Sequence, residues 1–391
     1  MTSAGSLSQE PQLSANPAEV QTRLSSIDQW RGLSVLMVIV HHFVIFRYRQ
    51  LFDVPYRLTE FARNPTVSNL SAAGRRVIYL WGHNVGALGV QIFFAISGYI
   101  ITRLLLKEYR TTGTVCFACF YIRRAFRILP ALVLFVLVTG LISYCGFVSI
   151  SPVEIGSAAT FLCNTSVVNC GYYYGHLWSL SVEEQFYILW PLVFVLVVGS
   201  RLAGIIWVIF VACLSLSVIP NLWVHNWINN GLAFSCIAAG AAYALSERFR
   251  AALSFTASWP GWLLAVILVV GLPLLKAFAA NLWALTTIIT PLLIVAIVLT
   301  RADTAFLRDR TGISRCLNWV GRMSYSLYLW HVIFIWEPDR YQSSQFLLAS
   351  LPLGVILAWL SANYVEPFFI NHGRRFANLV ARGATPSAVD G

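Results

Sequence analysis

The sequence predicts an all-α fold: a polytopic membrane protein with about ten transmembrane helices. Three observations predict it. Hydrophobic residues make up 58% of the 391 positions and charged residues only 11%, against about 25% charged in a soluble domain. Apolar runs recur along the whole chain, and many reach the roughly 20 residues a helix needs to cross a bilayer. The segments between them are basic or rich in Pro, Gly and Asn, which interrupt helices and mark reversals. Beside these loops, the net charge of +11 reads as a topology signal and as contact with anionic headgroups of membrane lipids, not as a nucleic-acid footprint.

Residues 1–26, rich in Ser, Ala, Gln and Pro, are expected to form a disordered cytoplasmic tail without a signal peptide. Spans are expected near 32–46, 87–106, 128–147, 177–199, 203–219, 229–246, 258–275, 281–300, 318–336 and 346–366, within a transmembrane domain over 27–370. Residues 371–391 form a second cytoplasmic tail. Ten crossings put both termini on one side. The loops of that side hold Arg103, Lys107, Arg110, Arg123, Arg124, Arg127, Arg201, Arg248, Arg250, Arg301, Arg308, Arg310 and Arg315, whereas the far side's later loops hold Lys276 and Arg340 alone. Basic loops stay in the cytoplasm, so both termini are expected there. The loop 47–86 runs against this pattern with Arg47, Arg49, Arg57, Arg63, Arg75 and Arg76; loops this long obey the rule less strictly.

Cys163 and Cys170 share the expected outer loop, where an oxidising compartment would permit a disulfide, two free thiols being the alternative. Cys116 and Cys119 form a lone CxxC on the inner side, with no second Cys/His pair to complete a zinc site. No metal is expected.

Four polar constellations interrupt the apolar runs, where polar groups are costly and therefore functional candidates. In the first, Arg31 opens an apolar helix and His42 lies eleven residues further in. Eleven steps of about 100° return to within about 20° of the same face, roughly 16 Å along the axis. His41 points about 100° away, so only His42 shares the Arg31 face. An imidazole in a low-dielectric site can take a proton from a hydroxyl near neutral pH; an anchor for Arg31 and an interhelical hydrogen bond for His42 are the structural alternatives. In the second, Arg123, Arg124 and Arg127 enter the third span. Planar guanidiniums at a membrane surface suit a polyanionic phosphate ligand or lipid phosphates.

The third runs from His176 through Trp178, Ser179, Ser181, Glu183, Glu184 and Gln185 to Tyr187. Two carboxylates inside an apolar helix could orient an imidazole, pair with an intramembrane Arg, or hold helices together. Trp178 also fits an interfacial belt. The fourth contains Ser324, Tyr325, Tyr328 and His331. Ser324, Tyr328 and His331 fall at i, i+4 and i+7, a stripe that lines a cavity or stitches helices. The Gly and Ser positions of Gly89–Tyr99 suggest close helix approach.

Together these segments resemble the acyltransferase 3 family of integral membrane proteins, over about residues 27–366. Arg31 and His42 fit its Arg-x10-His pattern. Gly89-Val-Gln-Ile-Phe-Phe-Ala-Ile-Ser-Gly-Tyr99 looks like its second-helix signature, and Arg123-Arg124-Ala-Phe-Arg127 fits its RxxR-type motif. Trp178-Ser-Leu-Ser-Val-Glu183 and Ser324-Tyr-Ser-Leu-Tyr-Leu-Trp-His331 are similarly close. The resemblance implies a multi-pass enzyme of the inner (plasma) membrane that transfers an acyl group from cytoplasmic acyl-CoA, most often acetyl-CoA. The acceptor would be a hydroxyl of a cell-surface saccharide or glycolipid. His42 is then the expected general base, Arg31 lines the donor site, and Arg123, Arg124 and Arg127 bind CoA phosphates. Glu183 rather than Glu184 orients the centre, and Ser324, Tyr325, His331, Trp178 and Tyr187 line the cavity. A proton-coupled transporter or flippase would use the same His and Glu as a relay; the arginine cluster and the lack of a visible repeat weigh against it.

Overall fold

A computed structural model describes residues 17–52, 67–165, 170–198, 209–211, 213, 225–278, 282–301, 312–335 and 344–383. Among these residues the chain is almost wholly helical and contains no strand. The main helices are α1 (Pro17–Phe52), α2 (Val67–Thr112), α3 (Phe117–Tyr144), α4 (Pro152–Ala159), α5 (Trp178–Val198) and α6 (His225–Leu245). They continue as α7 (Glu247–Leu253), α8 (Gly261–Val266), α9 (Leu272–Phe278), α10 (Trp283–Ile294), α11 (Gly312–Arg322), α12 (Ser324–Phe334), α13 (Ser344–Leu360) and α14 (Glu366–Gly383).

Four helical stretches among the described residues are long and apolar enough to cross a membrane: Asn84–Thr112, Phe117–Tyr144, Gly171–Val198 and Pro352–Arg382. Glu247–Ser258 and Gly261–Lys276, bent by 105° at their break, supply a fifth if counted together. Asn230–Leu245 and Ala284–Leu299 are apolar but shorter. The expected span 203–219 lies almost wholly outside the described residues. The span expected over 318–336 is divided at Met323, between α11 and α12. Residues 67–86, expected as loop, belong to α2, and residues 17–26 and 371–383 are helical as well.

Side-chain spacing explains which way these helices face. On α3, Leu129, Val133, Leu137 and Leu141 are exposed at four-residue steps, while Leu132, Phe135 and Thr139 are buried. That is one apolar stripe turned outward and another turned to the core, as a helix bounded by lipid on one side requires.

The core is organised around α2, which packs against α1, α5, α6 and α9. Two crossings are close enough to bring backbones together. A methyl at Gly98 would overlap the Ile237 carbonyl, and one at Gly240 would overlap that of Ala95, so α2 and α6 meet through glycine on both sides. Small residues allow such approach in membranes, where dispersion and not hydrophobic burial drives association. The second crossing pairs Gly32 of α1 with Gly321 of α11; a side chain at either would overlap the Leu317 or Asp28 carbonyl. This crossing sets Asp28, Arg31 and Arg322 beside one another. Disulfides join Cys163 to Cys170 and Cys116 to Cys119. The second sits at the start of α3, where the Cys116 sulfur also caps the Cys119 N–H.

Candidate active site

Six helices line a cavity of about 450 Å³, within the usual size range of small-molecule sites. Each contributes residues at helical spacing. From α1 come Ile27, Asp28 and Arg31; from α2, Phe93, Ser97, Ile101 and Leu104; from α3, Arg124, Arg127 and Ile128. On α5, Ser179, Glu183 and Tyr187 follow at four-residue steps, with Leu180 and Glu184 beside them. Arg322, Ser324, Tyr325 and Tyr328 close the remaining wall. The lining thus holds four guanidiniums, Arg31, Arg124, Arg127 and Arg322, against three carboxyl groups, Asp28, Glu183 and Glu184.

The charges are interleaved. Arg31 lies within electrostatic reach of Arg127, Asp28 and Glu183, and Arg124 within reach of Glu183 and Glu184. The Arg124 guanidinium sits over the Tyr187 ring, 4.7 Å from its centre, a cation–π contact that holds it in place. Glu183 accepts hydrogen bonds from Ser97 and from the Tyr187 hydroxyl. The Tyr325 hydroxyl donates to the Ile128 carbonyl oxygen at 2.8 Å and ties α12 to α3. One oxygen of Glu184, Oε1, and the Ser324 hydroxyl are buried without a hydrogen-bond partner. Just behind the wall, Ser326 donates to Glu366, itself within electrostatic reach of Arg127 and Arg31.

A histidine cluster adjoins this cavity. His42 Nδ1 lies 3.1 Å from His331 Nε2. The His331 ring is 5.6 Å from that of Tyr328, which lines the cavity. The Tyr328 hydroxyl donates to the His176 carbonyl oxygen at 2.6 Å and accepts from Ser179 at 2.6 Å. His41 faces elsewhere: its Nδ1 lies 2.8 Å from the Gly82 carbonyl oxygen on α2. The two neighbouring histidines therefore serve different helices, as their 100° offset requires.

The structure brings together Arg31, Arg124, Arg127, Glu183, Tyr187, Ser324 and Tyr325, and separates others from them. Arg123 is not in the lining; it pairs with Glu108 at 3.3 Å, with 41% of its side chain exposed. Its helical phase is only about 40° from that of Arg127, but it lies one turn nearer the helix start, where Glu108 takes it. Trp178 stacks edge-on against Phe94 at 6.0 Å and His331 packs behind Tyr328, so neither lines the cavity. Glu184 does line it, because a cavity lined by six helices covers more of α5 than one 100° step. His42 also lies outside the lining, and Glu183 bonds Ser97 and Tyr187 in place of an imidazole.

Three acidic or basic residues were missed in the sequence. Asp28 stands one turn before Arg31 and Arg322 two residues before Ser324, so both carried a positional signal. Glu366 offered a weaker one, a single carboxylate closing the last apolar run.

The acyltransferase domain model matches residues 24–363. Peptidoglycan O-acetyltransferase OatA of Listeria monocytogenes is 24% identical over 381 residues, covering 82% of this chain and 59% of the relative. YrhL of Bacillus subtilis, provisionally named a peptidoglycan O-acetyltransferase, is 28% identical over 326 residues, 72% of this chain and 50% of the relative. A provisionally named O-acetyltransferase of Staphylococcus aureus is 39% identical over 123 residues, 28% of this chain. The chain spans from a fifth to about three fifths of the length of these curated relatives. No solved structure matches. With a family model aligned from the residues before Arg31 to those before Glu366, and the arginines of two of its motifs converging on one cavity, the chain belongs to the acyltransferase 3 family.

Proposed function

We propose that the protein is an integral membrane O-acyltransferase that moves an acyl group, acetyl above all, from cytoplasmic acyl-CoA to a hydroxyl of a cell-surface or lipid-linked saccharide. The observation that carries this reading is the arginine-lined cavity joined to the His42–His331 pair through Tyr328. Arg124 and Arg127, with Arg31 and Arg322, hold the donor's phosphates by charge-assisted hydrogen bonds. The pantetheine arm then carries the thioester past Tyr328 towards His42.

His42 acts as general base on the acceptor hydroxyl, whose oxygen attacks the thioester carbonyl carbon. Glu183 fixes Tyr187, and through it Arg124, at the donor site. The names of the relatives favour a glycan acceptor such as peptidoglycan. In the same reading the domain over 27–370 crosses the plasma membrane ten times with both termini in the cytoplasm, so the arginine end of the cavity opens to the cytosolic donor pool.

Purified protein in lipid nanodiscs, given radiolabelled acetyl-CoA and muropeptide or lipid-linked saccharide, tests the proposal. It predicts acceptor-dependent release of CoA thiol and label on the saccharide, both lost in His42→Ala. Saccharide translocation in proteoliposomes without thiol release would replace the enzyme reading with transport.

A further inference from the structure

Two histidines from near opposite ends of the chain meet at the edge of the cavity, and their partners dictate where the hydrogens lie. His331 Nδ1 stands 2.7 Å from the Tyr328 carbonyl oxygen. A carbonyl only accepts, so His331 Nδ1 carries the hydrogen, and in a neutral imidazole Nε2 then holds the lone pair. That Nε2 lies 3.1 Å from His42 Nδ1, which also lies 3.0 Å from the Val38 carbonyl oxygen. The Val38 carbonyl oxygen only accepts, so His42 Nδ1 carries the hydrogen and donates, and the basic lone pair of His42 falls on Nε2. His176 does not compete for the contact: its ring centre is 5.2 Å from that of His331, and its ring is directed to the backbone of Leu329 and Tyr173. No group of three or more metal-capable side chains converges among the described residues, so the pair is read as a hydrogen-bonded dyad.

We infer that His331 is a positioning residue for acyl transfer: its Nε2 lone pair, together with the Val38 carbonyl oxygen, holds His42 in the Nδ1–H tautomer and directs His42 Nε2 to the acceptor hydroxyl. This rests on the proposed role of His42 as base. In the step, the hydroxyl oxygen bonds to the thioester carbonyl carbon while its proton passes to His42 Nε2. The C–S bond then breaks, and the departing thiolate takes that proton back. While Nε2 is protonated His42 is an imidazolium, and its Nδ1–H bond to His331 becomes charge-assisted and stronger. An interaction that strengthens towards the transition state is the kind that accelerates the chemical step.

A carboxylate often holds this place beside a catalytic histidine. Here Glu183 is engaged by Ser97 and Tyr187. Around His331 the neighbouring Trp330, Val332 and Ile333 are each 1% exposed, surroundings in which a neutral acceptor costs less than an ion.

Three substitutions separate positioning from packing. His331→Gln sets an amide oxygen near the place of Nε2 and keeps an acceptor for His42. His331→Asn sets its amide near Nδ1 and leaves His42 without that acceptor, and His331→Ala removes both. The Ala and Asn variants should lose about 10²- to 10⁴-fold in kcat, with the KM for acyl-CoA little changed. The Gln variant should recover at least about tenfold over Asn. Packing alone would keep Asn and Gln together, so equal rates in those two, or full activity in His331→Ala, would overturn the inference.

His42→Ala, assayed alongside, separates the two claims. If it stays active, the base assignment fails and this inference with it; if it is dead while His331→Ala turns over normally, only the inference fails. Should the His331 variants not accumulate, imidazole nitrogen-15 spectra of the unmodified protein decide. An unprotonated His42 Nε2 supports the inference and a protonated one overturns it.

Discussion

Three arginines lie within five residues at the start of α3, and the structure gives them different environments. Arg124 and Arg127 line the cavity, while Arg123 pairs with Glu108 on a surface where 41% of its side chain is exposed. Alanine at each position, one at a time, should therefore produce unequal effects on the donor. A hydrogen bond between a guanidinium and a phosphate contributes about 1.5–3 kcal/mol net. At about 1.4 kcal/mol per factor of ten, that predicts roughly 10- to 150-fold weaker acyl-CoA binding for Arg124→Ala and Arg127→Ala. An exposed ion pair contributes about 1 kcal/mol at most, and to stability rather than to binding, so Arg123→Ala should leave donor affinity within about twofold. The assay is a titration of acyl-CoA against detergent-purified variants, followed by steady-state kinetics with donor and acceptor varied in turn. Equal weakening by all three would refute the division, because a diffuse basic surface would then be at work. Unchanged donor affinity with a raised acceptor KM in Arg124→Ala would reverse which substrate the arginines hold.

Further outcomes follow from other contacts. His42→Ala should lower kcat about 10²- to 10⁴-fold while His41→Ala, which loses one hydrogen bond to the Gly82 carbonyl, keeps turnover near normal; comparable losses at matched membrane levels would remove the distinction. Tyr187→Phe keeps the ring beneath Arg124 and should raise the donor KM less than Tyr187→Leu does, the gap being a few-fold for a contact of about 0.5–2 kcal/mol; donor titration of the two variants decides. Glu183→Gln should cost more turnover than Glu184→Gln, because Glu183 organises Ser97 and Tyr187; the reverse order at equal expression would give the working carboxylate to Glu184. Gly240→Ala should destabilise the bundle by about 1–3 kcal/mol, since its methyl would overlap the Ala95 carbonyl, and a thermal-unfolding midpoint no lower than that of the unmodified protein would contradict the crossing.

Much of this site could be read from the sequence because a charged group in an apolar helix has few structural excuses. Arg31, Arg124, Arg127 and Glu183 stood out for that reason, and Tyr187, Ser324 and Tyr325 came with the motifs around them. What escaped depended on tertiary partners. No spacing rule announces that Glu108 captures Arg123 across the turn between α2 and α3, or that Tyr328 stands between His331 and the cavity. Phase arithmetic separated His41 from His42 correctly in direction. It excluded Glu184 too readily, because it treated the cavity as a line where six helices make it a volume. The helical class was plain from composition, but the early start of α2 was not: residues 67–86 carry Arg75 and Arg76 and read as an outer loop.

The two disulfides lie at opposite ends of α3, one beside Cys116 at its start and the other in the segment that follows α4. A helix of 28 residues is about 42 Å long, enough to set the two bridges on opposite faces of a bilayer. Glutathione keeps cytosolic thiols reduced while the exterior favours oxidation, so insertion should leave the two cystines in unequal redox surroundings. A membrane-impermeant thiol reagent added to intact cells, with and without an impermeant reductant, would then read the orientation of the chain from which pair becomes labelled. The protein thus carries native markers at both ends of one helix, and no added tag is needed to tell which face receives the donor.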